Sequence, residues 1–465
     1  MKLKLDSPGR ALGLALVVAA AAVALVSASA SSAAAPATHR IDVDPEISGP
    51  QRMSAGSRTF SCQGLPIDGS QGARCYTAAQ IQQAYGYSGL FSSGVDGRGK
   101  TIVIIDAFSS PSIASDLKDF DRDMGLPDTA FTITQVGNVP PFDINSDLQV
   151  GWAGEISLDV QWAHAMAPGA AIDLVEAPSN SDADIFAATK YAIDHKLGDV
   201  ISQSFGEAES CVDSGMLPQE TALFAKAASE GMTLFASTGD SGASQPSCDG
   251  SSAVFSAPFP ASDPNVTGVG GTTLDADPVT GSYLGETAWT EPLFGCNFPA
   301  IDPSDVNCSG GGFSTLYARP AWQRSLVRGG SGRGVPDVAY DAGVNGGVLV
   351  HMGFLLPFFG YGEDDPLYFT FGGTSAGSPQ WAGLAADADQ MARNDVGNIN
   401  DDLYRLAHGA HPHGAPFHDV TTGNNDVAEI GGQGYDAGPG WDAVTGLGTP
   451  NAAVLLPALA GNAGR

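Results

Sequence analysis

Short apolar runs alternate with longer amphipathic stretches along most of this chain. Thr101-Ile-Val-Ile-Ile105 is a β-branched run with no polar alternation, and a helical period follows from Pro111 to Met124. The pattern repeats: Ala170–Val175 and then a helix over Asp182–Lys196, Asp199–Gln203 and then Gln219–Glu230, and finally Met232–Ala236. A strand buried on both faces reads as a continuous apolar run, and strand–helix alternation at this spacing predicts a mainly parallel sheet covered by helices on both sides. A further helical pattern, Gly151–His164, ends at Pro168-Gly169 and is apolar at Ile156, Leu158, Val160 and Trp162. From about residue 250 to 370 the chain is loop-rich with short strands, and no internal repeat is visible. One α/β domain over residues 75–461 is expected.

The alternating run Leu367–Phe371 ends in Gly372-Gly373, and a helix-compatible run follows from Trp381 to Arg393, with Pro379 where a first helical turn tolerates it. Ser375 therefore sits where a strand turns sharply into a helix. Such a turn presents the hydroxyl, and the helix N-terminus offers amide donors and positive potential to a developing anion. Gly373, Ala376 and Gly377 leave room for a substrate carbonyl. Gly373-Thr-Ser-Ala-Gly377 satisfies the G-x-S-x-G pattern of α/β-hydrolases. The longer string, with a proline four residues after the serine, resembles the nucleophile segment of subtilases and of their acid-active relatives, the sedolisins.

Two carboxylates supply a second candidate. Glu155 and Asp159 lie four apart on the predicted helix, hence on one face and near contact. Adjacent carboxylates do not both ionise cheaply, so the pair shares a proton and titrates as a unit. That serves as general-base chemistry in acid, where a histidine is protonated and inert as a base. Asp240, in Ser237-Thr-Gly-Asp-Ser-Gly242, stands after the run Met232–Ala236, at the C-terminal end of a strand where parallel sheets gather active sites. A protonated carboxyl there can donate a hydrogen bond to an oxyanion.

Composition narrows the function classes. Charged residues make up 15% of the 465, against roughly 25% in an average domain. The formal charge of −30 argues against nucleic acid and anionic membranes as partners. Residues 1–30 read as a secretory signal peptide: Lys2, Lys4 and Arg10, an apolar run Ala11–Val26, then small residues. Residues 31–74, rich in Ala, Ser, Gly and Pro, read as a linker or short pro-segment. Six cysteines in a secreted chain suggest disulfides, and of fifteen possible pairings the sequence-local couples Cys62–Cys75, Cys211–Cys248 and Cys296–Cys308 are favoured. A secreted, extracellular monomer without stable membrane association is expected.

Taken together, these segments closely resemble the sedolisins, the serine-carboxyl peptidases on a subtilisin-like fold, from about Tyr76 to Leu456. Gly154-Glu-Ile-Ser-Leu-Asp159 with His164-Ala-Met-Ala-Pro-Gly169 matches the family's general-base segment. The resemblance implies Ser375 as nucleophile, Glu155 as its base, Asp159 orienting Glu155, and Asp240 in the oxyanion hole. Ile201-Ser-Gln-Ser-Phe-Gly206 looks like the strand that pairs with substrate backbone, and Asp106 stands for an acidic residue that extends the carboxylate network in some members. The family also carries one structural calcium ion. Phe417–Asp426 and Gly438–Gly448 resemble its two halves, which makes Asp419 and Asp442 carboxylate ligands and Val420, Gly438 and Gly440 carbonyl ligands. Hard oxygen donors on glycine-rich loops suit calcium.

The implied activity is cleavage of peptide bonds in denatured protein in acid, with an endopeptidase favoured over release of N-terminal tripeptides. Two departures from the family stand out: no long pro-domain precedes the domain, and Phe205 stands where many members have tryptophan. A secreted non-catalytic binding protein on the same scaffold is the competing class. An ordinary subtilase needs a His-Gly-Thr segment, absent here, and an α/β-hydrolase would need an acid and a histidine from the 90 residues after Ser375, where His408, His411, His413 and His418 stand.

Overall fold

Thr101–Ala107 lies inside an eight-stranded sheet and shows why the apolar runs do not alternate. Ile102 and Ile104 enter one hydrophobic core while Val103 and Ile105 enter a second on the opposite face. The strand is sheathed on both sides, so its run Ile102–Ile105 is apolar without alternation. The structure, a computed structural model, describes residues 40, 41, 43, 47–54, 57–67, 69–291, 307–362, 365–409 and 414–462.

The sheet runs Tyr283–Ala288, Thr267–Ala276, Thr233–Ser237, Val200–Gln203, Thr101–Ala107, Ala171–Ala177, Phe131–Gln135, with Val338–Asp341 also paired to Thr267–Ala276. Only Tyr283–Ala288 is antiparallel. Helices Asp182–His195 and Leu217–Ser229 feed the core that holds Val103 and Ile105. Helices Asp147–Met166 and Gly377–Ala392 feed the other. The predicted strands and helices thus appear within a few residues of their expected bounds, and the mainly parallel α/β architecture is as the pattern dictates.

Asp147–Met166 is capped by Ser146, whose side chain accepts from the Gln149 amide, and is buried from Val150 to Met166. A helix with no polar face is an interior helix, and the carboxylates on it are carried inside with the rest. It packs against Gly377–Ala392, where a Cβ on Gly383 would lie 2.7 Å from the Met166 Cβ and 3.2 Å from the Ala163 carbonyl. The two backbones approach so closely only because that position has no side chain.

A smaller sheet orders Ile47–Arg52, Leu367–Phe371, Gly347–His351 and Cys75–Tyr76. Ile47–Arg52, within the stretch the composition reads as linker, pairs antiparallel with Leu367–Phe371. Cys62–Cys75 and Cys211–Cys248 are bonded as expected. Cys308 is also in a disulfide, and its expected partner Cys296 lies outside the described residues, as does the expected signal peptide 1–30. Among the described residues no helix is long and apolar enough to cross a membrane.

Candidate active site

The strand Leu367–Phe371 delivers the chain to two glycines that nothing else could replace. A Cβ on Gly372 would stand 2.4 Å from the Ala342 carbonyl, and one on Gly373 would stand 2.6 Å from Asp240 Oδ2. Gly373 also has φ +95°, in the region L side chains avoid. A 3-10 turn over Thr374–Ala376 then leads into the helix Gly377–Ala392. Ser375 sits in that turn and is 7% exposed, so the hydroxyl is at the floor of the site rather than on open surface.

Asp240 is half-buried in the loop after Thr233–Ser237. Its Oδ1 accepts from the Thr374 amide at 2.8 Å and from the Thr374 hydroxyl at 2.8 Å. With Oδ1 committed as an acceptor, a proton on this carboxyl belongs on Oδ2, the oxygen aimed past Gly373. That is the arrangement of a carboxylic acid able to donate toward the nucleophile turn.

Glu155 and Asp159 are fully buried one helical turn apart, and Asp106 is fully buried in the strand Thr101–Ala107. Ser204 Oγ is 2.8 Å from Asp159 Oδ1 and 3.2 Å from the Ser375 carbonyl, and Ser375 Oγ donates to the Ser204 carbonyl at 3.4 Å. Neither oxygen of Glu155, neither of Asp106, and not Oδ2 of Asp159 has a hydrogen-bond partner. Burial, then the Asp159 charge, pushes the Glu155 carboxyl well above the usual range. Asp240 adds to this, while the Ser375 hydroxyl, near but outside hydrogen-bond geometry, pulls the other way. Burial also raises Asp159, against the Ser204 hydroxyl. Burial raises Asp106 too, helped by Asp159, Glu155 and Glu176. Three neighbouring buried carboxyls do not all ionise cheaply, so the cluster favours holding protons.

Two participants were not legible in the sequence. Ser204 lies in the string Ile201–Gly206, yet nothing in that string says its hydroxyl turns to Asp159. Thr374 is part of the nucleophile segment, and only the fold shows it locking Asp240. Phe205 packs on Trp152 of the buried helix with ring centroids 6.3 Å apart, so an aromatic contact stands at the position read above as a departure.

No family model matches the chain. It is 34% identical over 397 residues to kumamolisin of a Bacillus species (strain MN-32), covering 83% of this chain and 63% of that protein. It is 32% identical over 373 residues to sedolisin of a Pseudomonas species (strain 101), covering 78% and 58%. To human tripeptidyl-peptidase 1 it is 31% identical over 339 residues, covering 66% and 52%. The chain therefore spans less than two thirds of the length of these relatives. A solved structure of Pseudomonas sedolisin, a serine-carboxyl proteinase complexed with pseudo-iodotyrostatin, superposes with a TM-score of 0.69 at 30% identity, over 84% of this chain and 99% of that one.

The chain belongs to the sedolisin family.

The histidines named above have partners of their own in this sedolisin-family chain. His164 Nε2 lies 3.0 Å from the Pro127 carbonyl and 3.0 Å from Asp121. His408 bonds Ser325 Oγ, and His418 stacks on Tyr283. His411 and His413 lie outside the described residues.

The residues expected to hold calcium are brought together by two loops. Asp419 accepts from the Gly440 amide through both oxygens, at 3.1 and 3.0 Å, and Asp442 Oδ2 accepts from the Gly438 amide at 2.9 Å. Thr445 Oγ1 links Asp442 to the Val420 carbonyl. Burial pushes the Asp442 carboxyl up to about 6, against the backbone amides of Gly438, Thr445 and Val444 and the Thr445 hydroxyl, which favour its charge. The groups seen at the two carboxylates are thus backbone amides and a hydroxyl, with no cationic side chain among them. Among the described residues there is no cluster of three His, Cys, Asp or Glu suited to a metal.

Proposed function

We propose that the protein is a secreted, acid-active serine-type endopeptidase that hydrolyses denatured proteins. The observation that carries the reading is Glu155: a buried carboxyl with no hydrogen-bond partner, beside Ser375, in a family of serine-carboxyl peptidases. In this reading Ser375 attacks the substrate carbonyl and Glu155 takes its proton, then returns it to the leaving amine. Asp159, held by Ser204, keeps Glu155 in place and shares its proton. Asp240 donates from Oδ2 to the oxyanion, with Oδ1 held by Thr374. A buried carboxylate without a partner is a stronger base than a solvated one, which suits proton abstraction from a hydroxyl. Release of tripeptides from N-termini is the second reading, favoured by the likeness to tripeptidyl-peptidase 1.

Purified protein incubated with denatured casein from pH 2 to 8 should show cleavage that is strongest in acid and lost in Ser375→Ala. Mapping the products separates internal cuts from tripeptides. Cleavage that survives Ser375→Ala, or none at any pH, overturns the reading.

Asp419, Asp442 and the carbonyls of Val420, Gly438 and Gly440 are proposed to hold one calcium ion. Bound there, the ion would pin two loops and play no chemical part. An ion that binds only the folded state stabilises it by mass action. Chelation should thus lower the melting temperature of the wild type and leave Asp442→Ala unchanged. A wild-type melting curve indifferent to chelator removes the assignment.

A further inference from the structure

Two adjacent strands of the large sheet each follow an apolar run with an acid, Asp106 after Ile102–Ile105 and Glu176 after Leu174-Val175. The parallel register of Thr101–Ala107 with Ala171–Ala177 sets Asp106 opposite Glu176. Both have the parity of Ile102, Ile104, Ile172 and Leu174, whose side chains enter the core that the helix Asp147–Met166 feeds. The two acids therefore stand side by side on the face that carries Glu155 and Asp159. The next strand, Phe131–Gln135, is the edge of the sheet, and its Gln135 stands opposite Glu176 in register. Gln135 is exposed, and its side-chain amide donates to Glu176 Oε2 at 2.8 Å. One rung thus runs from the carboxyls beside Ser375 through Asp106 and Glu176 to the rim of the sheet.

The two acids differ in what favours their charge. Both are buried, Glu176 with 1% exposure. Asp106 has no hydrogen-bond partner on either oxygen, whereas Glu176 has the Gln135 amide. A donor on a carboxylate favours its ionised form. Burial raises Glu176 above the ordinary glutamate value, against the Gln135 bond. It raises Asp106 well above its own, with Asp159, Glu155 and Glu176 adding to the rise. Of the pair, Glu176 ionises first as pH rises. Its charge then opposes ionisation of Asp106 one strand spacing away, about 5 Å, and of Glu155 and Asp159 beyond it. No basic side chain acts on either acid. Asp173 and the charged residues of Asp182–His195 lie on the opposite face of the sheet, with Val103 and Val175.

Resting on the peptidase reading above, we propose that Glu176 is a positioning residue for the reaction: its charge, across the strand from Asp106, holds a proton on Asp106 and so sets the pH at which Glu155 becomes a base. Gln135 keeps Glu176 charged while the inner carboxyls are still protonated. Glu176 touches no substrate and acts only through Asp106 and the pair on the helix. Glutamine at position 176 keeps the shape of the side chain and an oxygen for the Gln135 amide, and removes only the charge.

The test is made first in Ser375→Ala, where turnover plays no part. Glutamate labelled at the side-chain carboxyl is followed by NMR, with the Glu155 signal assigned by its loss in Glu155→Gln. The Glu155 titration midpoint should fall by about half a pH unit or more on adding Glu176→Gln. Glu176→Asp, which keeps the charge, should restore most of the shift. In the active background the acid limb of kcat/KM, which reports the base, should move to lower pH in Glu176→Gln with the plateau above it kept. Gln135→Leu withdraws the donor from Glu176 and should move the limb the same way by less. A folded Glu176→Gln chain with an unmoved Glu155 midpoint overturns the proposal. So does a plateau that falls while the limb stays in place, the mark of a purely structural role. Absence of Ser375-dependent cleavage from every form would sink the peptidase reading alone, since the titration stands without catalysis.

Discussion

At the scale of single residues, Asp240 is the most informative side chain. Its Oδ1 accepts two bonds from Thr374, and a carboxyl that faces an oxyanion from Oδ2 does so usefully only with a proton. Activity that depends on this proton falls as pH rises through the carboxyl's ionisation. An asparagine keeps the acceptor at Oδ1 and donates from its amide at every pH. Asp240→Asn should retain part of kcat/KM with its alkaline limb moved to higher pH, while Asp240→Ala should lose on the order of a hundredfold or more. Profiles of kcat/KM against pH for the three proteins check this; an Asn variant with an unmoved alkaline limb shows that another group sets the limit. The pairing of Glu155 with Asp159 was readable from a spacing of four on a helix. The Ser204 and Thr374 bonds were not, because a hydroxyl's direction depends on which elements surround it.

At the scale of elements, the site is made by two buried helices and the turn between strand and helix. Gly383 sets the approach of Gly377–Ala392 to Asp147–Met166, and Gly373 sets the approach of Asp240 to the turn. Gly383→Val should force the helices apart and cost about 1–3 kcal/mol, as overpacking of a close contact does, read as a lower melting temperature. Gly373→Ala meets Asp240 and a positive φ together, so it should abolish activity with a smaller loss of stability than its effect on the site. A Gly383 variant as stable as wild type contradicts this account of the interface. These elements were legible because their apolar pattern is strong: unbroken runs for strands sheathed on both faces, and an apolar band on all sides for the helix of Glu155. The strand Ile47–Arg52 was not. Its sequence carries no alternation, and its partner lies more than three hundred residues away.

At the scale of the whole molecule, burial of carboxyls governs the response to pH. Burial raises Glu207 to about 9, Asp389 to about 8, and Glu220 and Glu291 each to about 7, and it raises Glu155, Asp159, Asp106 and Asp387 well above their usual range. In the unfolded chain such groups lose their protons near pH ~4. Above that pH the folded state binds more protons than the unfolded one, so stability falls as pH rises through the folded values. The melting temperature should therefore be highest near pH ~4 and decline toward pH ~9, and Glu220→Gln should make the decline shallower. A melting temperature that is flat or rises from acid to pH ~8 contradicts it. The sequence by itself determined the alternation of strands and helices, the parallel sheet it entails, the turn that carries Ser375 and the acidic balance, because each depends on local order and composition. Only the tertiary structure decided that Ser204 turns to Asp159, that Asp240 is locked by Thr374, and that Ile47–Arg52 pairs with Leu367–Phe371. Those contacts join residues far apart in the chain, and burial, which sets their charge, is a property of what packs around them.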